Sequence, residues 1–200
     1  MNLSPGEFYH IYNRGNNRQK IFFSENNYLY FLKKARQQLS PFSEIICYCL
    51  MPNHFHLIIR ATKESVVERI SFGGKPMQEF AYRIGILLSS YSQAINKQNG
   101  TTGSLFQQKT KAKILSEPVE NKMVSYLERC FFYIHNNPLR TKLVSDLKDW
   151  AYSSWPDYAG LRNGTLCDKS VFFESMGLQE KSIAAWDSEN LSQDIIKKFF

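Results

Sequence analysis

The stretch "SEIICYCLMPNHFHLIIRA", residues 43–61, decides the fold because it holds two apolar runs on either side of a turn. The runs "SEIICYCLM" and "HFHLIIRA" are separated by Pro52 and Asn53, residue types that are typical of turns. Two short apolar runs around such a turn predict an antiparallel hairpin. Because both runs are almost wholly apolar, we expect both strands to be central in a sheet.

The second predicted strand carries His54 and His56, one residue apart. Successive side chains of a strand point to opposite faces, so both imidazoles lie on one face, while Phe55 and Leu57 point to the other. Two neutral imidazoles side by side form half of a divalent-metal site. The alternative is a pair of structural histidines that are hydrogen-bonded in a polar pocket, and a His-x-His motif alone fits both interpretations.

The segments before and after the hairpin complete a sheet. "EFYHIYNRG", residues 7–15, predicts a first strand, and "SENNYLYFLKKARQQL" predicts a helix with Ser24 as its N-cap. A fourth strand is expected within "QNGTTGSLFQQKTKAKIL". A helical turn at residues 64–70 and an amphipathic helix at about residues 77–97 are expected between the hairpin and that strand.

The last predicted helix covers about residues 117–137. Pro118 is tolerated in its first turn, and Pro138 is expected to end it. The order β-α-β-β-α-β with this extra C-terminal helix predicts an α+β fold, a ferredoxin-like sandwich in which an antiparallel sheet has helices packed on one face. The two hairpin histidines then lie near the centre of the sheet.

Charge and length indicate one main basic domain, residues 1–160, followed by an acidic C-terminal extension, residues 161–200. The chain of 200 residues has a net charge of +7, yet residues 163–200 hold four lysines against six acidic residues. No acidic residue lies between Glu79 and Glu117, where five basic residues are present. Such a segment suits the phosphate backbone of a nucleic acid, or else it is an ordinary solvated surface.

The four cysteines, Cys47, Cys49, Cys130 and Cys167, have no C-x-x-C spacing, so free and mostly buried thiols are expected. No apolar run reaches the ~18 residues of a membrane span. The N-terminal residues lack the apolar region of a signal peptide. The sequence therefore predicts a cytoplasmic protein with no membrane partner.

A second candidate motif is "CFFYIHNNPLR" in the last helix. Tyr133 and Asn137 are four residues apart and so share one helix face. Asn137 offers an amide oxygen of the kind that Mg²⁺ or Mn²⁺ accepts, and Tyr133 offers a phenol. The alternative is that Tyr133 packs in the core beside Phe131 and Phe132 and that Asn137 merely ends the helix.

Four blocks in a fixed order carry a family resemblance: "FYHIYNRGNNRQKIFF", "CLMPNHFHLIIR", "GSLFQQKTKAKIL" and "YIHNNPLR". Together they resemble the single-tyrosine HUH transposases of bacterial insertion sequences, especially the REP-associated tyrosine transposases, over about residues 7–158. HUH denotes histidine, bulky hydrophobe, histidine, which corresponds here to His54, Phe55 and His56.

The resemblance implies a metal-dependent transposase or nuclease that cleaves and rejoins single-stranded DNA with hairpin structure. It implies that Tyr133 is the nucleophile and forms a 5′-phosphotyrosine intermediate. It also implies that His54, His56 and Asn137 hold a divalent ion, Mg²⁺ or Mn²⁺. A phenol has a pKa of about 10, so a metal that polarises the phosphate would help it react.

The basic residues that we expect to contact DNA are Arg14 and Arg18 in a polar loop and Lys109, Lys111 and Lys113, which alternate along the fourth strand. Exposed lysines on the outer face of a strand are the plain alternative. His10, in the first strand, is interpreted as a packed or hydrogen-bonded residue. His135 points away from Tyr133 on the helix, and we expect a phosphate contact or a surface role there.

Two other functions fit the same sequence. A domesticated nucleic-acid-binding protein would keep the fold with little catalysis, and a small rolling-circle replication initiator would share the chemistry. The DNA target, and the choice between a monomer and a homodimer, are not determined by any motif in the sequence.

Overall fold

A computed structural model describes residues 1–71, 73–115 and 126–177. The strands are β1 (Phe8–Arg14), β2 (Ser43–Met51), β3 (His54–Ala61), β4 (Glu68–Ile70), β5 (Pro76–Gln78) and β6 (Lys111–Ile114). The helices are α1 (Glu25–Gln38), α2 (Glu79–Asn99), α3 (Tyr126–Arg140), α4 (Trp155–Tyr158) and α5 (Lys169–Met176). Short 3₁₀ turns connect several of these elements.

The main sheet has the strand order β2-β3-β1-β6, and every neighbouring pair is antiparallel. This is the order of a ferredoxin-like sheet, so the predicted α+β fold is confirmed. The β2–β3 hairpin turns at Pro52 and Asn53, as the sequence predicts. The strand that carries both histidines, β3, lies between β2 and β1, which places the pair at the centre of the sheet. β2 lies at the edge of the sheet, so the expectation that both hairpin strands are central is wrong for β2. Backbone hydrogen bonds join residues 152–154 and Asp168 to its outer side, and this cover explains why an edge strand is so apolar.

Two apolar cores cover the two faces of the sheet. On one face α1 and α2 pack on alternate strand residues, and this core includes Phe31, Phe80, Tyr91, Phe55 and Leu57. On the other face lie α3, α4 and α5, and this core includes Phe131, Phe172, Trp155, Cys47 and Ile58. The helices predicted on one face and the extra C-terminal helix are therefore all present.

A small ribbon replaces part of a predicted helical turn. Residues 64–66 do form a 3₁₀ turn, but residues 68–70 form β4, which pairs with β5 in antiparallel fashion. The prediction of a helical turn through residue 70 is wrong in its second half. The paired residues of β4 and β5 are six to ten positions apart in the sequence, a separation that helical spacing does not reveal.

The helix α3 does not end before Pro138, contrary to the sequence prediction, and runs on to Arg140. Proline has no N–H to donate to the carbonyl of Ile134, and the side-chain amide of Asn137 donates to that carbonyl instead, at 3.3 Å. The same amide donates to the carbonyl of Tyr133 at 2.9 Å. Asn137 thus compensates for the proline within the helix.

Some predictions fall outside the described residues. The predicted beginning of the last helix, with Pro118, lies in residues 116–125, and most of the acidic extension lies in residues 178–200. The division of the chain near residue 160 stays a prediction. In the described part, α5 packs Phe172 on Phe131 of α3, with ring centroids 4.2 Å apart.

The four cysteines are free, as expected, and three of them are buried. Within residues 1–71, 73–115 and 126–177, no helix combines the length and apolar character needed to cross a membrane.

Candidate functional site

The face of the sheet that α3 covers carries a line of polar and charged side chains. On β1 and β3 the alternation places His10, Tyr12, Arg14, His54 and His56 on this side, which we call the histidine face. In the strand register Tyr12 lies opposite His56, and Arg14 lies opposite His54. On β6, Lys111 pairs with Tyr12 and Lys113 pairs with His10, so both lysines join the histidine face.

The turn before β3 holds His54 in one orientation. Nδ1 of His54 lies 2.6 Å from Oδ1 of Asn53, while Nδ2 of Asn53 donates to the carbonyl of Arg18 at 3.2 Å. Because the amide nitrogen of Asn53 is directed at a carbonyl, its oxygen faces the imidazole, and Nδ1 of His54 is the donor. This leaves the lone pair of His54 on Nε2. Burial, and then the nearby Arg14, lower the pKa of His54 to about 4, so the ring is neutral at pH 7.

His56 is the more buried of the pair, and its two nitrogens differ. Nδ1 lies 2.8 Å from Nε2 of His10, whereas Nε2 is buried without a hydrogen-bond partner in the described residues. Burial and the neighbouring His10, His54 and Arg14 hold the pKa of His56 well below its ordinary value. The rings of His54 and His56 are 4.9 Å apart, centroid to centroid. Two neutral imidazoles therefore lie together on β3.

Tyr133 of α3 packs against the histidine face, edge-on to His56 and His10. Its ring centroid is 5.8 Å from that of His56 and 6.5 Å from that of His10. The guanidinium of Arg140 lies 5.5 Å from the centroid of the Tyr133 ring. Burial raises the pKa of Tyr133, although Arg140 and a hydrogen bond with Asn137 act in the opposite direction. The phenol is thus neutral at pH 7 but has a cation beside it.

Asn137 lies one helical turn beyond Tyr133 and is buried. Since its Nδ2 donates to two backbone carbonyls of α3, the orientation of the amide is set by the helix itself. Its oxygen, Oδ1, takes no part in those two bonds. The turn that carries the phenol thus also carries an oriented amide oxygen.

The side chains that could hold a divalent ion are two neutral imidazoles on β3 and the amide oxygen of Asn137 on α3. In the part of the chain that the structure describes there is no group of three or more His, Cys, Asp or Glu side chains fit to hold a metal. The uncompensated Nε2 of His56 is the type of buried atom that a metal satisfies. Three neutral ligands would leave the charge of the ion free to attract an anionic substrate.

Most of the residues predicted from sequence lie at this face. Tyr133 is brought together with His56, and His54 lies beside His56. Asn137 is one helical turn beyond Tyr133, and Arg14 is close enough to lower the pKa of His54. The predicted basic residues are all exposed: Arg14, Arg18, Lys109, Lys111 and Lys113. Lys109 precedes β6 rather than alternating within it, which corrects that prediction. The backbone of Arg18 contacts Asn53, and its φ is +60°.

His135 has neither of the two roles that the sequence predicted for it. It is 1 % exposed, and its Nε2 lies 2.8 Å from Oγ of Ser154. Its ring packs against Phe131 with centroids 4.3 Å apart. Burial lowers the pKa of His135 to about 3. His135 is a neutral core residue because α4 and the preceding loop cover its side of α3, and helical spacing alone does not predict that cover.

Three residues of the site were not singled out from sequence. Arg140 follows Asn137 by three residues and so shares its side of the helix, a spacing that would have identified it. Tyr12 follows His10 by two residues in a strand, which likewise predicts a shared face. Asn53 was interpreted only as a turn residue. Its bond to His54 depends on the geometry of that turn.

Comparisons with known proteins find likeness in structure and not in sequence. No protein-family model matches the chain, and no curated protein matches it significantly. A solved structure of a REP-associated tyrosine transposase bound to a REP hairpin superimposes with a TM-score of 0.54 and 17 % sequence identity. The match covers 84 % of this chain and 91 % of that chain. The chain thus has the fold of that transposase, the structural expectation that its four sequence blocks raised.

Proposed function

We propose that this protein is a metal-dependent strand transferase that cleaves and rejoins single-stranded DNA through Tyr133. The observation that carries the proposal is the arrangement around His56. Its buried Nε2 has no partner in the described residues, a second neutral imidazole lies 4.9 Å away, and the ring of Tyr133 lies 5.8 Å away. A phenol beside two metal-competent imidazoles has a chemical use in phosphoryl transfer that an ordinary core tyrosine does not have.

His54, His56 and Asn137 would hold the divalent ion, Mg²⁺ or Mn²⁺. When bound, such an ion supplies polarisation of the phosphate and stabilisation of developing negative charge. Both imidazoles are neutral at pH 7 and can therefore donate a lone pair to a metal, and Asn53 orients the ring of His54. The amide of Asn137 is oriented by two carbonyls of its own helix.

Tyr133 would perform the bond exchange. Its phenolic oxygen forms a bond to phosphorus, the bond from phosphorus to the 3′ oxygen breaks, and a 5′-phosphotyrosine results. The phenolic proton is released, and the departing 3′ oxygen takes up a proton to become a hydroxyl. The number of phosphoester bonds is unchanged, so attack by a 3′-hydroxyl on the phosphotyrosine can rejoin strands without an external energy source.

Cations around the phenol favour an anionic substrate. Arg140 lies 5.5 Å from the Tyr133 ring, and Arg14 lies opposite His54 in the strand register. Lys111 and Lys113 extend the positive charge along β6 on the same face. A phosphate at the histidine face would therefore meet positive charge on both sides, which favours binding and stabilises charge in the transition state.

The substrate that we propose is single-stranded DNA next to a hairpin. The support is the fold shared with a REP-associated tyrosine transposase whose solved structure contains a REP hairpin. A flexible single strand can bring one phosphodiester to the partly buried phenol of Tyr133 on α3. A stiff duplex would have to open first.

The test is to trap the covalent intermediate. A hairpin oligonucleotide with single-stranded flanks, labelled on the 5′ side and on the 3′ side in separate preparations, is incubated with the protein in Mn²⁺, in Mg²⁺ and in EDTA. We expect a denaturation-resistant adduct with the 3′-side label, present with metal and absent in EDTA. Tight binding with no adduct and no cleavage would instead favour a domesticated binding protein, and cleavage with no adduct would favour hydrolysis by water.

A further inference from the structure

We infer that His10 is a positioning residue that fixes the tautomer of His56, so that the lone pair of His56 stands on Nε2. The inference rests on the proposed metal role of His56. It assigns a task to His10 of β1, a residue that the sequence alone marks only as packed or hydrogen-bonded.

The contact between the two rings is direct and buried. Nε2 of His10 lies 2.8 Å from Nδ1 of His56, and the two residues are 3 % and 6 % exposed. The ring centroids are 5.0 Å apart and the ring planes are inclined by 30°, so the rings meet edge to edge through these nitrogens. At that distance one proton lies between the two nitrogens, so one ring donates and the other accepts.

The choice of donor decides whether His56 can bind a metal. If His56 donates from Nδ1, its Nε2 carries a lone pair. If His10 donates, the proton of His56 stands on Nε2, where it is buried without an acceptor in the described residues and blocks metal binding. An unpaired buried N–H has lost its hydrogen bond to water without gaining another, which destabilises the folded state. The arrangement in which His10 accepts is therefore the one that suits both the buried environment and a metal.

Neighbouring rings hold His10 in place to accept this proton. Tyr12 stacks on His10 with centroids 4.6 Å apart, and Tyr133 meets it edge-on at 6.5 Å. Metal-binding histidines usually donate their other N–H to an oxygen, as His54 does to Asn53. His10 accepts the corresponding hydrogen bond from His56 with a ring nitrogen, and it adds no negative charge to the site.

The experiment separates hydrogen bonding from packing with two substitutions. His10→Gln can still accept a proton from His56, whereas His10→Leu fills a similar space and cannot accept. Tyr158→Phe is the control, because it removes a different buried hydrogen bond, from Tyr158 to the carbonyl of Ile46, under the same face of the sheet. Circular dichroism and thermal unfolding establish that each variant is folded.

The first readout needs no metal and no DNA. The ¹⁵N chemical shifts of the imidazoles in the metal-free wild-type protein report which nitrogen of His56 is protonated. We expect protonation at Nδ1 in the wild type and in His10→Gln, and a mixture of tautomers in His10→Leu. Protonation of wild-type His56 at Nε2 overturns the inference, whatever the variants do.

The second readout is Mn²⁺ affinity, measured from the electron paramagnetic resonance signal of free Mn²⁺. We expect about 10–100-fold weaker binding in His10→Leu, the usual effect of losing such a partner, and binding close to that of the wild type in His10→Gln and Tyr158→Phe. Wild-type affinity in a folded His10→Leu contradicts the inference. If the wild type itself binds no Mn²⁺, the proposed function fails, while the tautomer of His56 still decides the role of His10.

Discussion

The ring of Tyr133 on α3 lies edge-on to the ring of His56 on β3, with centroids 5.8 Å apart. A second phenol, that of Tyr12, is at a similar distance from the same imidazole, 6.0 Å. Both tyrosines are thus candidates for the nucleophile. Tyr133 has the stronger case because Asn137 and Arg140 stand on its own helix and act on its pKa.

The first prediction separates these two tyrosines. Tyr133→Phe keeps the ring and its packing, so the free energy of unfolding should change by no more than ~0.5–1.5 kcal/mol, the range for one hydrogen bond, while DNA cleavage disappears. Tyr12→Phe should retain cleavage and the covalent adduct. Mass spectrometry of the trapped complex identifies the modified residue, and a nucleotide on Tyr12 or Tyr126 would overturn the assignment.

The second prediction concerns His54 and His56. His54→Ala and His56→Ala should each abolish cleavage and leave most of the DNA affinity, because that affinity comes mainly from phosphate contacts made by basic residues. Cleavage assays in Mg²⁺ and in Mn²⁺, with binding measured on the same oligonucleotide, check this. Either variant cutting at the wild-type rate would remove the metal role from the mutated histidine.

The third prediction concerns Asn137, which has two roles in the proposal. Asn137→Ala removes an amide oxygen from the metal and an amide nitrogen from two helix carbonyls. We expect cleavage to require more Mn²⁺, and we expect a loss of roughly 1–2 kcal/mol in the free energy of unfolding. Asn136→Ala is the matched control, since Asn136 also bonds a backbone carbonyl, that of Phe132. That control should lose stability without any change in metal requirement.

How much of this site the sequence predicts depends on the range of the contacts. Alternation along one strand predicts that His54 and His56 share a face, and helical spacing predicts the same of Tyr133 and Asn137. Neither periodicity says which strand lies beside β3, so the hydrogen bond between His10 and His56 becomes visible only in the register of β1 on β3. The family resemblance implies that Tyr133 of α3 acts together with His54 and His56 of β3. In the structure the rings of Tyr133 and His56 lie 5.8 Å apart, centroid to centroid.

The fold was predictable for a related reason. Its hairpin is local, its helices are amphipathic, and the ferredoxin-like strand order follows from the order of the elements. The errors lie where a side chain or a long-range contact overrides a local rule. Asn137 allows α3 to continue through Pro138. The cover provided by α4 buries His135, for which the sequence predicts a phosphate contact or a surface role.

The fourth prediction concerns the lysines on β6 and just before it. Lys111 and Lys113 lie on the histidine face, and Lys109 just precedes the strand. Single-strand binding should weaken with salt by about −0.7 in log K per log unit of salt for each phosphate neutralised. Replacing all three lysines by glutamine should flatten that slope. Lys33→Gln combined with Lys34→Gln on α1, which packs on the opposite face, is the control and should leave the slope unchanged. An unchanged slope in the triple variant would place the DNA elsewhere.

The fifth prediction is a loss of stability in mild acid, because the pKa values of all four histidines are lowered in the folded protein. Burial is the first cause in each case, and the values fall to about 3 for His10 and His135 and to about 4 for His54, with His56 also well below its ordinary value. Unfolded histidines titrate near ~6.5.

Between the lowered pKa values of the folded histidines and the unfolded value of ~6.5, the unfolded chain binds more protons than the folded one. The free energy of unfolding therefore has its full value above pH ~6.5 and decreases as the pH falls below it. Each buried histidine contributes a loss of about 1.4 kcal/mol per pH unit in that range. Urea unfolding at pH 7.5 and pH 5.5 measures the difference. His135 lies outside the proposed metal site. His135→Gln should reduce the difference between the free energies of unfolding at the two pH values by the contribution of one histidine. If wild-type stability is equal at the two pH values, the histidines are not held neutral, and the metal-ready state that we propose for His54 and His56 loses its electrostatic basis.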